Sequence, residues 1–344
     1  MNPLISVLLP VYNGSLFVNE CLQSIQKQSI TDFEVIIIDD GSTDDTYNII
    51  SNLIQNDQRF KLFRFQENRG IVVALNDGLV KCCGTWIARM DVDDIMHPDR
   101  LMKQLSFIKQ HPDIDILGAQ VQLIRDDAPI TDGQHNYINW SNQLIEDTAI
   151  KQEIFAESPI IHPTFFLSRN YYSKLGNYQD HPWVEDYDFL LRGFNEGAKF
   201  GKISEKLLIK RDHPQRVVRN DIRCKRKAMF AIKSHYFKKS NWYNPSKKLL
   251  IIGTGAVGKM LATALMNEKI QVDGFINNDH SNKKGTLKGL PIYLLNEANA
   301  KQFFAEQKNT FYISAVGVPE GKKKVNQLLQ QYQLKVTHDY LKFI

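Results

Sequence analysis

The chain has 344 residues, of which 43% are hydrophobic and 24% charged, and its formal net charge is +5. This length exceeds the usual size of one domain, so we expect two globular domains, each with its own core. No apolar run approaches the roughly 18 residues of a membrane span, which excludes an integral membrane protein. The four cysteines show neither metal-ligand spacing nor a disulfide framework, so we expect reduced thiols in a cytoplasmic protein.

Short apolar strands alternate with helical patterns in the first part of the chain. We expect strands at 5–9, 34–38, 60–65 and 85–90, and helices at 17–27, 44–55 and 72–81. This alternation predicts a largely parallel sheet covered by helices. Ligands of such sheets bind beyond the carboxyl ends of the strands, where Asp39, Asp40 and the acidic segment 91–94 would lie.

The pattern becomes less regular after residue 97. We expect a helix at 98–110, a strand at 114–123, a polar loop at 125–142, a helical stretch to about 155, a strand at 160–167 and a helix from Glu185. Basic and apolar residues alternate from 222 to 239, and Asn244-Pro245-Ser246 interrupts them. We therefore predict a first domain at 1–220, a basic amphipathic helical linker at 221–246 and a second domain at 247–344.

The second domain begins with a new strand and a glycine motif. After a strand at 248–252 come Gly253, Gly255 and Gly258, spaced GxGxxG, and a helix to Glu268. Further strands at 272–276, 311–315 and 334–337 alternate with helices at 297–306 and 321–331. This pattern predicts a small Rossmann-like α/β domain, in which Asp279 would be the acid that holds a ribose.

Three carboxylates, Asp91, Asp93 and Asp94, follow the strand at 85–90. Such a cluster repels itself unless a cation is present, and Mg²⁺ and Mn²⁺ take oxygen ligands of this kind. The alternative is a solvated acidic turn that caps the next helix. Taken alone, the cluster leaves both interpretations open.

Five segments occur in an informative order. They are Pro10-Val11-Tyr12-Asn13-Gly14, Asp39-Asp40-Gly41-Ser42-Thr43-Asp44, Asn68-Arg69-Gly70, Asp91-Val92-Asp93-Asp94 and Trp183-Val184-Glu185-Asp186-Tyr187-Asp188. In this order the chain resembles the inverting family 2 glycosyltransferases, over residues 3–215. The resemblance implies a GT-A fold with a mixed, mostly parallel sheet. The second domain resembles the short Rossmann-like N-terminal domain of bacterial sugar acetyltransferases.

The resemblance also implies roles for individual residues. The donor would contact Pro10, Tyr12, Asn13, Asp39, Asp40, Arg69 and Asp91. A Mn²⁺ or Mg²⁺ ion would be held by Asp93 and Asp91, and the catalytic base would be Asp186, with Glu185 and Asp188 as alternatives. The acceptor side or a closing loop would include Glu185, His162, His213 and Arg211.

These roles imply a metal-dependent transfer, with inversion, from a nucleoside diphosphate sugar, UDP-sugar first, to a hydroxyl of a saccharide or lipid-linked acceptor. The expected setting is bacterial capsule, lipopolysaccharide or exopolysaccharide synthesis. The basic segment 223–239 suggests peripheral contact with an anionic membrane on its inner face. No nucleic-acid-binding module accompanies that segment, so nucleic acid is not expected as a partner.

Two other functions stay open. One is a sugar nucleotidyltransferase, although the Gly-rich, Lys- or Arg-bearing loop of such enzymes is absent at 10–14. The other is a bifunctional protein whose second domain binds NAD or another nucleotide in a redox or regulatory role; a purely structural or interaction module is the alternative for that domain. The sugar, the acceptor and the oligomeric state do not follow from the sequence.

Overall fold

The computed structural model describes residues 2–214, 216, 221–277, 285–296 and 298–344. The chain divides into two compact units, Met1–Lys151 with Ser158–Asn220, and Gln152–Glu157 with Asp221–Ile344. Within the described ranges, no helix is long and apolar enough to cross a membrane.

The first unit contains strands and helices that alternate up to β4 and are less regular from there to Arg211. The first are β1 (Ile5–Val11), α1 (Val18–Gln26), β2 (Phe33–Asp39), α2 (Thr46–Ile54), β3 (Phe60–Arg64), α3 (Ile71–Lys81) and β4 (Trp86–Arg89). They are followed by β5 (Ile95–Met96), α4 (Arg100–Gln110), β6 (Ile116–Ile124), α5 (Asp132–Gln143), α6 (Asp147–Glu153), β7 (Phe166–Ser168), α7 (Arg169–Leu175), α8 (Glu185–Asn195) and β8 (Phe200–Arg211).

The strands of the first unit form one mixed sheet in the order β3-β2-β1-β4-β7-β6-β8-β5. Strands β1 to β4 are parallel, β7 is antiparallel to β4, and β8 is parallel to β6. Every residue of β1 and β2 is buried, as expected for apolar strands covered on both faces. Because β1, β2 and β4 run the same way, the loops that follow Val11, Asp39 and Arg89 lie at one edge of the sheet.

The structure corrects several predictions in this unit. The polar loop predicted at 125–142 contains α5, which begins at a capping box between Thr131 and Gln134. The strand predicted at 160–167 is instead a 3-10 helix, His162–Thr164, followed by the short β7. Pro163 has no N–H to donate to a ladder, which explains the late start of that strand. The long strand β8 was not predicted.

The second unit contains a second, mostly parallel sheet. Its elements are α9 (Arg226–Lys239), β9 (Lys248–Ile252), α10 (Ala256–Asn267), β10 (Gly274–Asn277), β11 (Gly285–Leu287), β12 (Leu290–Leu294), α11 (Ala300–Glu306), β13 (Thr310–Ser314), α12 (Pro319–Gln331) and β14 (Tyr340–Lys342). The strand order is β11-β12-β10-β9-β13-β14. The strand predicted at 334–337 is wrong, because Val336 forms only an isolated bridge and the last strand is β14.

Helix α9 is a packed part of the second unit. Its residues Phe230, Ile232 and Phe237 are buried, and the Phe237 ring lies 5.8 Å from that of Phe311. The ammonium of Lys233 is also buried and donates to the carbonyl of Phe343 at 3.2 Å. The apolar side of this helix is therefore covered by its own unit.

Candidate functional site

The loop after β2 places two adjacent aspartates in different environments. Asp39 is fully buried, and its Oδ1 accepts a hydrogen bond from the Ser42 N–H at 3.0 Å. Its Oδ2 lies 3.2 Å from Nε of Arg64, and among the described residues no group donates a hydrogen bond to it. Asp39 therefore keeps one oxygen that can accept a hydrogen bond.

Asp40 uses both of its carboxylate oxygens to hold the next loop. They accept hydrogen bonds from the Arg69 N–H at 2.7 Å and the Gly70 N–H at 2.9 Å. Burial raises the pKa of Asp40 even though these two bonds lower it. The Arg69 side chain is exposed and lies over the Phe65 ring, 4.9 Å from its centroid. Asp40 thus positions Arg69.

The turn after β1 is tied to the same loop. Pro10 is buried in β1, and Tyr12 beyond it is 47% exposed. Asn13, at a φ of 50°, donates from its N–H to Ser42 Oγ at 3.0 Å and accepts from the Thr43 N–H at 2.9 Å. Hydrogen bonds therefore join the turn at Asn13 to the loop after Asp39, and Asp40 joins that loop to the backbone of Arg69, at one sheet edge.

The acidic residues after β4 do converge. One oxygen from each of Asp91, Asp93 and Asp94 lies within 4.8 Å of the others. Buried Arg89 forms an ion pair with Asp91. Burial tends to raise the pKa of Asp91, but Arg89 and other cations outweigh it and hold that pKa well below its usual range.

Two residues that follow β8 contact this acidic cluster. His213 Nε2 lies 3.1 Å from Asp93 Oδ2, and its ring packs on Phe17 with 4.5 Å between centroids. The Arg216 guanidinium lies 3.6 Å from oxygens of Asp91 and Asp93 and 3.8 Å from Asp94 Oδ1. Burial tends to lower the pKa of Arg216, but the three carboxylates raise it above its ordinary value. The cluster therefore has a cation within ion-pair distance of all three acids.

Asp94 connects the cluster to the end of β8. Its Oδ1 accepts a hydrogen bond from the Arg211 N–H at 3.0 Å, while its Oδ2 is buried and has no hydrogen-bond partner in the described structure. Burial raises the pKa of Asp94 to about 7, and Asp93 adds to this by repulsion. The Arg211 guanidinium pairs with Asp126 and Glu20, and its place in the acceptor side or a closing loop stays a prediction.

The three acids at the start of α8 are not equivalent. Asp188 is fully buried, accepts from Trp183 Nε1 at 2.9 Å and pairs with Arg192 at 2.7 Å, so both of its carboxylate oxygens already have partners. Glu185 and Asp186 are only partly buried. Asp186 Oδ1 accepts from the Tyr187 N–H at 2.6 Å. Burial raises the pKa of Asp186, and the Asp91 charge adds to that, against Arg89 and Lys210. Asp186 stays the predicted base, with Glu185 as an alternative.

His162 belongs to a buried hydroxyl network. Its Nε2 lies 2.8 Å from the Tyr178 hydroxyl, which lies 3.2 Å from the hydroxyl of Tyr172. Burial lowers the pKa of His162 well below its ordinary value, and the positive charge of Arg89 adds to this. His162 is therefore neutral, and it orients Tyr178.

The glycine motif of the second unit forms a close turn. Gly253 has a φ of 124°, and a Cβ on Gly258 would lie 2.0 Å from the Gly253 carbonyl oxygen. Gly255 directly precedes α10. Asp279, the predicted ribose contact, lies outside the described residues, so its role stays a prediction.

Sequence reasoning missed two cations of the site. Arg89 stands two residues before the acidic motif and pairs with its first acid. Lys210 lies near the end of β8, next to Arg211. The sequence signal for Arg89 was a charged residue at the end of an apolar strand. Lys210 could not be placed because strand β8 itself was not predicted.

Known proteins resemble the first part of the chain. The profile of the family described as Glycosyl transferase family 2 matches residues 6–176. An uncharacterized glycosyltransferase of Haemophilus influenzae is 38% identical over 177 residues, covering 48% of this chain and 71% of that protein. The amylovoran biosynthesis glycosyltransferase AmsE of Erwinia amylovora is 27% identical over 205 residues, covering 59% of this chain and 74% of AmsE. A second Haemophilus influenzae relative is 31% identical, and the chain spans 59% of its length.

The fold is similar to that of a solved structure. The crystal structure of S. aureus TarS 1-349 in complex with UDP-GlcNAc gives a TM-score of 0.57 at 17% sequence identity. The match covers 77% of this chain and 72% of that protein. The mixed sheet of the first unit is thus consistent with a GT-A fold.

Proposed function

Because the chain belongs to glycosyl transferase family 2 and is thus a glycosyltransferase, we propose that its first unit transfers a sugar from a nucleoside diphosphate sugar to a hydroxyl group, with inversion at the anomeric carbon. The observation that carries the proposal is that three features belong to the same unit. They are a hydrogen-bond acceptor at Asp39, an acidic cluster beside His213 and a partly exposed carboxylate at Asp186. The cluster also interacts electrostatically with Asp186.

In this proposal the nucleoside binds between the loops after β1 and β2. Asp39 accepts a hydrogen bond from the imide N–H of the base with its Oδ2, since Asp40 already accepts from two backbone N–H groups. Asp40 acts indirectly by fixing the loop that presents Arg69. The exposed guanidinium of Arg69 suits the anionic donor phosphates.

The acidic cluster suits a hard divalent cation. Asp91 and Asp93 offer carboxylate oxygens, which suit both Mn²⁺ and Mg²⁺, and His213 Nε2 stands 3.1 Å from Asp93 Oδ2. The buried Asp94 Oδ2, with no hydrogen-bond partner in the described ranges, supports this fit. The cation would supply charge neutralisation at the donor diphosphate. His213, expected in an acceptor or closing segment, is therefore proposed as a metal ligand.

Asp186 is the proposed general base. It takes the proton of the acceptor hydroxyl while that oxygen bonds to the anomeric carbon, and the bond from this carbon to the diphosphate breaks with its electron pair. The raised pKa of Asp186 suits this role, because a carboxylate with too low a pKa is a weak base. Neutral His162 and Tyr178 would line the acceptor side.

We propose a saccharide or lipid-linked acceptor in bacterial surface polysaccharide synthesis. The relative AmsE is named for amylovoran biosynthesis, which supports this setting. The TarS structure holds UDP-GlcNAc, so UDP-sugars are the first donors to test. Contact with an anionic membrane would depend on exposed cations such as Lys225, Arg226 and Lys227, because the apolar side of α9 is buried. Flotation with phosphatidylglycerol vesicles tests that contact.

A thermal-shift panel of nucleotide sugars, with and without Mn²⁺, tests the function. We expect one donor to raise the melting temperature only when the metal is present, followed by release of a nucleoside diphosphate on turnover. Release of pyrophosphate would instead indicate a nucleotidyltransferase. For the second unit, NAD binding by equilibrium dialysis distinguishes a nucleotide site at Gly253–Gly258 from an interaction module.

A further inference from the structure

Lys210 is fixed beside the acidic cluster by its neighbours in β8. The next residue, Arg211, donates its N–H to Asp94 Oδ1 at 3.0 Å. The preceding residue, Ile209, pairs with Ile95, which directly follows Asp94. The main chain of Lys210 therefore stands next to the last acid of the cluster.

The ammonium of Lys210 has no partner among the described residues. No carboxylate or carbonyl there lies within ion-pair or hydrogen-bond distance of it, although the side chain is half-buried. Three other cations near the cluster have carboxylate partners: Arg89 pairs with Asp91, Arg211 with Glu20 and Asp126, and Arg216 with the cluster itself. A half-buried cation that has lost part of its water without gaining a partner is suited to bind an anion from solution.

The positive charge of Lys210 affects the pKa of groups on both sides of the site. Burial raises the pKa of Asp94 and of Asp186, and the Lys210 charge opposes it at both residues. The same charge helps to lower the pKa of Asp91, and at His162 it adds to the effect of burial. The charge of Lys210 is thus felt on both sides of the site, which agrees with the place of its main chain beside Asp94.

We propose that Lys210 binds the donor phosphate that is attached to the sugar, and neutralises its charge as the sugar departs. This inference rests on the proposed function. In the reaction the acceptor oxygen bonds to the anomeric carbon, the bond from that carbon to the phosphate oxygen breaks, and the electron pair stays on the phosphate. The diphosphate gains one negative charge, and the acceptor proton goes to Asp186. Lys210 transfers no proton and remains an ammonium ion.

The position of Lys210 favours the donor over an anionic group on the acceptor. The bond that breaks must lie between the metal side, at Asp91 and Asp94, and the base side, at Asp186. The main chain of Lys210 stands beside Asp94, on the metal side, because its neighbours Ile209 and Arg211 are bonded to Ile95 and Asp94.

Isothermal titration of UDP and UMP in Mn²⁺ tests this role without turnover. The two nucleotides differ only in the terminal phosphate. We expect Lys210→Met to weaken UDP binding about 10- to 100-fold and UMP binding less than about threefold, since a charge-assisted phosphate contact is lost. Lys210→Arg should retain most of the UDP affinity. Lys206→Met, on an exposed lysine of the same strand, is the matched control and should match wild type.

The outcomes separate the two proposals. If wild-type protein binds UDP more tightly than UMP and Lys210→Met keeps the same ratio, the role of Lys210 is overturned while the proposed function stands. The role is equally overturned if Lys210→Met raises only the KM of the acceptor, because Lys210 would then contact that substrate. If wild-type protein binds neither UDP nor GDP with Mn²⁺, the proposed function itself fails, and the role of Lys210 fails with it.

Discussion

Replacement of Asp186 by asparagine should remove catalysis while leaving the fold intact. The asparagine side chain would keep an oxygen that can accept the Tyr187 N–H, the 2.6 Å bond at the start of α8. It would also lack the charge that Asp91 repels. We therefore expect the free energy of unfolding to change by no more than about 0.5 kcal/mol. General-base catalysis contributes about 10²- to 10⁴-fold, so kcat should fall by that factor, equivalent to about 3–5 kcal/mol of barrier.

The assay is nucleoside diphosphate release at saturating donor, measured across pH. In wild-type protein kcat/KM should fall as pH drops through the pKa of Asp186, which burial places above its ordinary value, because the protonated acid cannot accept the acceptor proton. Asp186→Asn should lose this acid limb and keep donor affinity. The matched control is Glu185→Gln on the same helix turn, with a much smaller loss expected. An equal loss in both variants, or an unchanged acid limb in Asp186→Asn, would refute the assignment.

Three further predictions address the nucleoside, the metal and the core. In steady-state assays, Asp39→Asn should raise the KM for the donor about 10- to 100-fold and leave kcat near the wild-type value. The reason is that the contact with the nucleobase is equal in the ground and transition states, and a fall in kcat alone would argue against it. His213→Ala should raise the Mn²⁺ concentration needed for nucleotide-induced thermal stabilisation by more than about tenfold, whereas His135→Ala, on an exposed histidine, should not; equal behaviour would exclude His213 as a ligand. Burial lowers the pKa of Lys202 to about 7, so above that pH the unfolded chain binds more protons than the folded chain. The free energy of unfolding should therefore rise between pH 7 and 10, by up to about 4 kcal/mol. Urea denaturation should show this rise in wild type but not in Lys202→Met; the same rise in both would exclude Lys202 as its source.

The parts of the fold that were predictable are those with a local signal. Strands β1 and β2 are mostly apolar and rich in Ile, Val and Leu, so their type could be predicted and their ends to within two residues. Helix α5 had a local signal in the Thr131 capping box, but its polar surface favoured a loop. Strand β8 carries charged residues among its apolar ones and pairs with β6 through a register shift, so its pattern is not periodic.

Some residues of the candidate site could be predicted from the sequence and others could not. The acidic residues could be predicted because they follow strands that end at one edge of the sheet. The different hydrogen-bond partners of Asp39 and Asp40 could not be predicted. They depend on which backbone N–H groups the folded loops at Ser42 and Arg69 present to each carboxylate. Likewise, the pairing of Arg211 with Glu20 is a contact across 191 positions of sequence.

The stereochemistry of donor hydrolysis tests the central claim most directly, and it needs no known acceptor. Proton NMR can follow the free sugar that forms when water replaces the acceptor at the donor identified by thermal shift, before mutarotation mixes the anomers. A single displacement assisted by Asp186 predicts that the first sugar formed has the anomeric configuration opposite to that of the donor. A first product with the donor's own configuration would contradict the account.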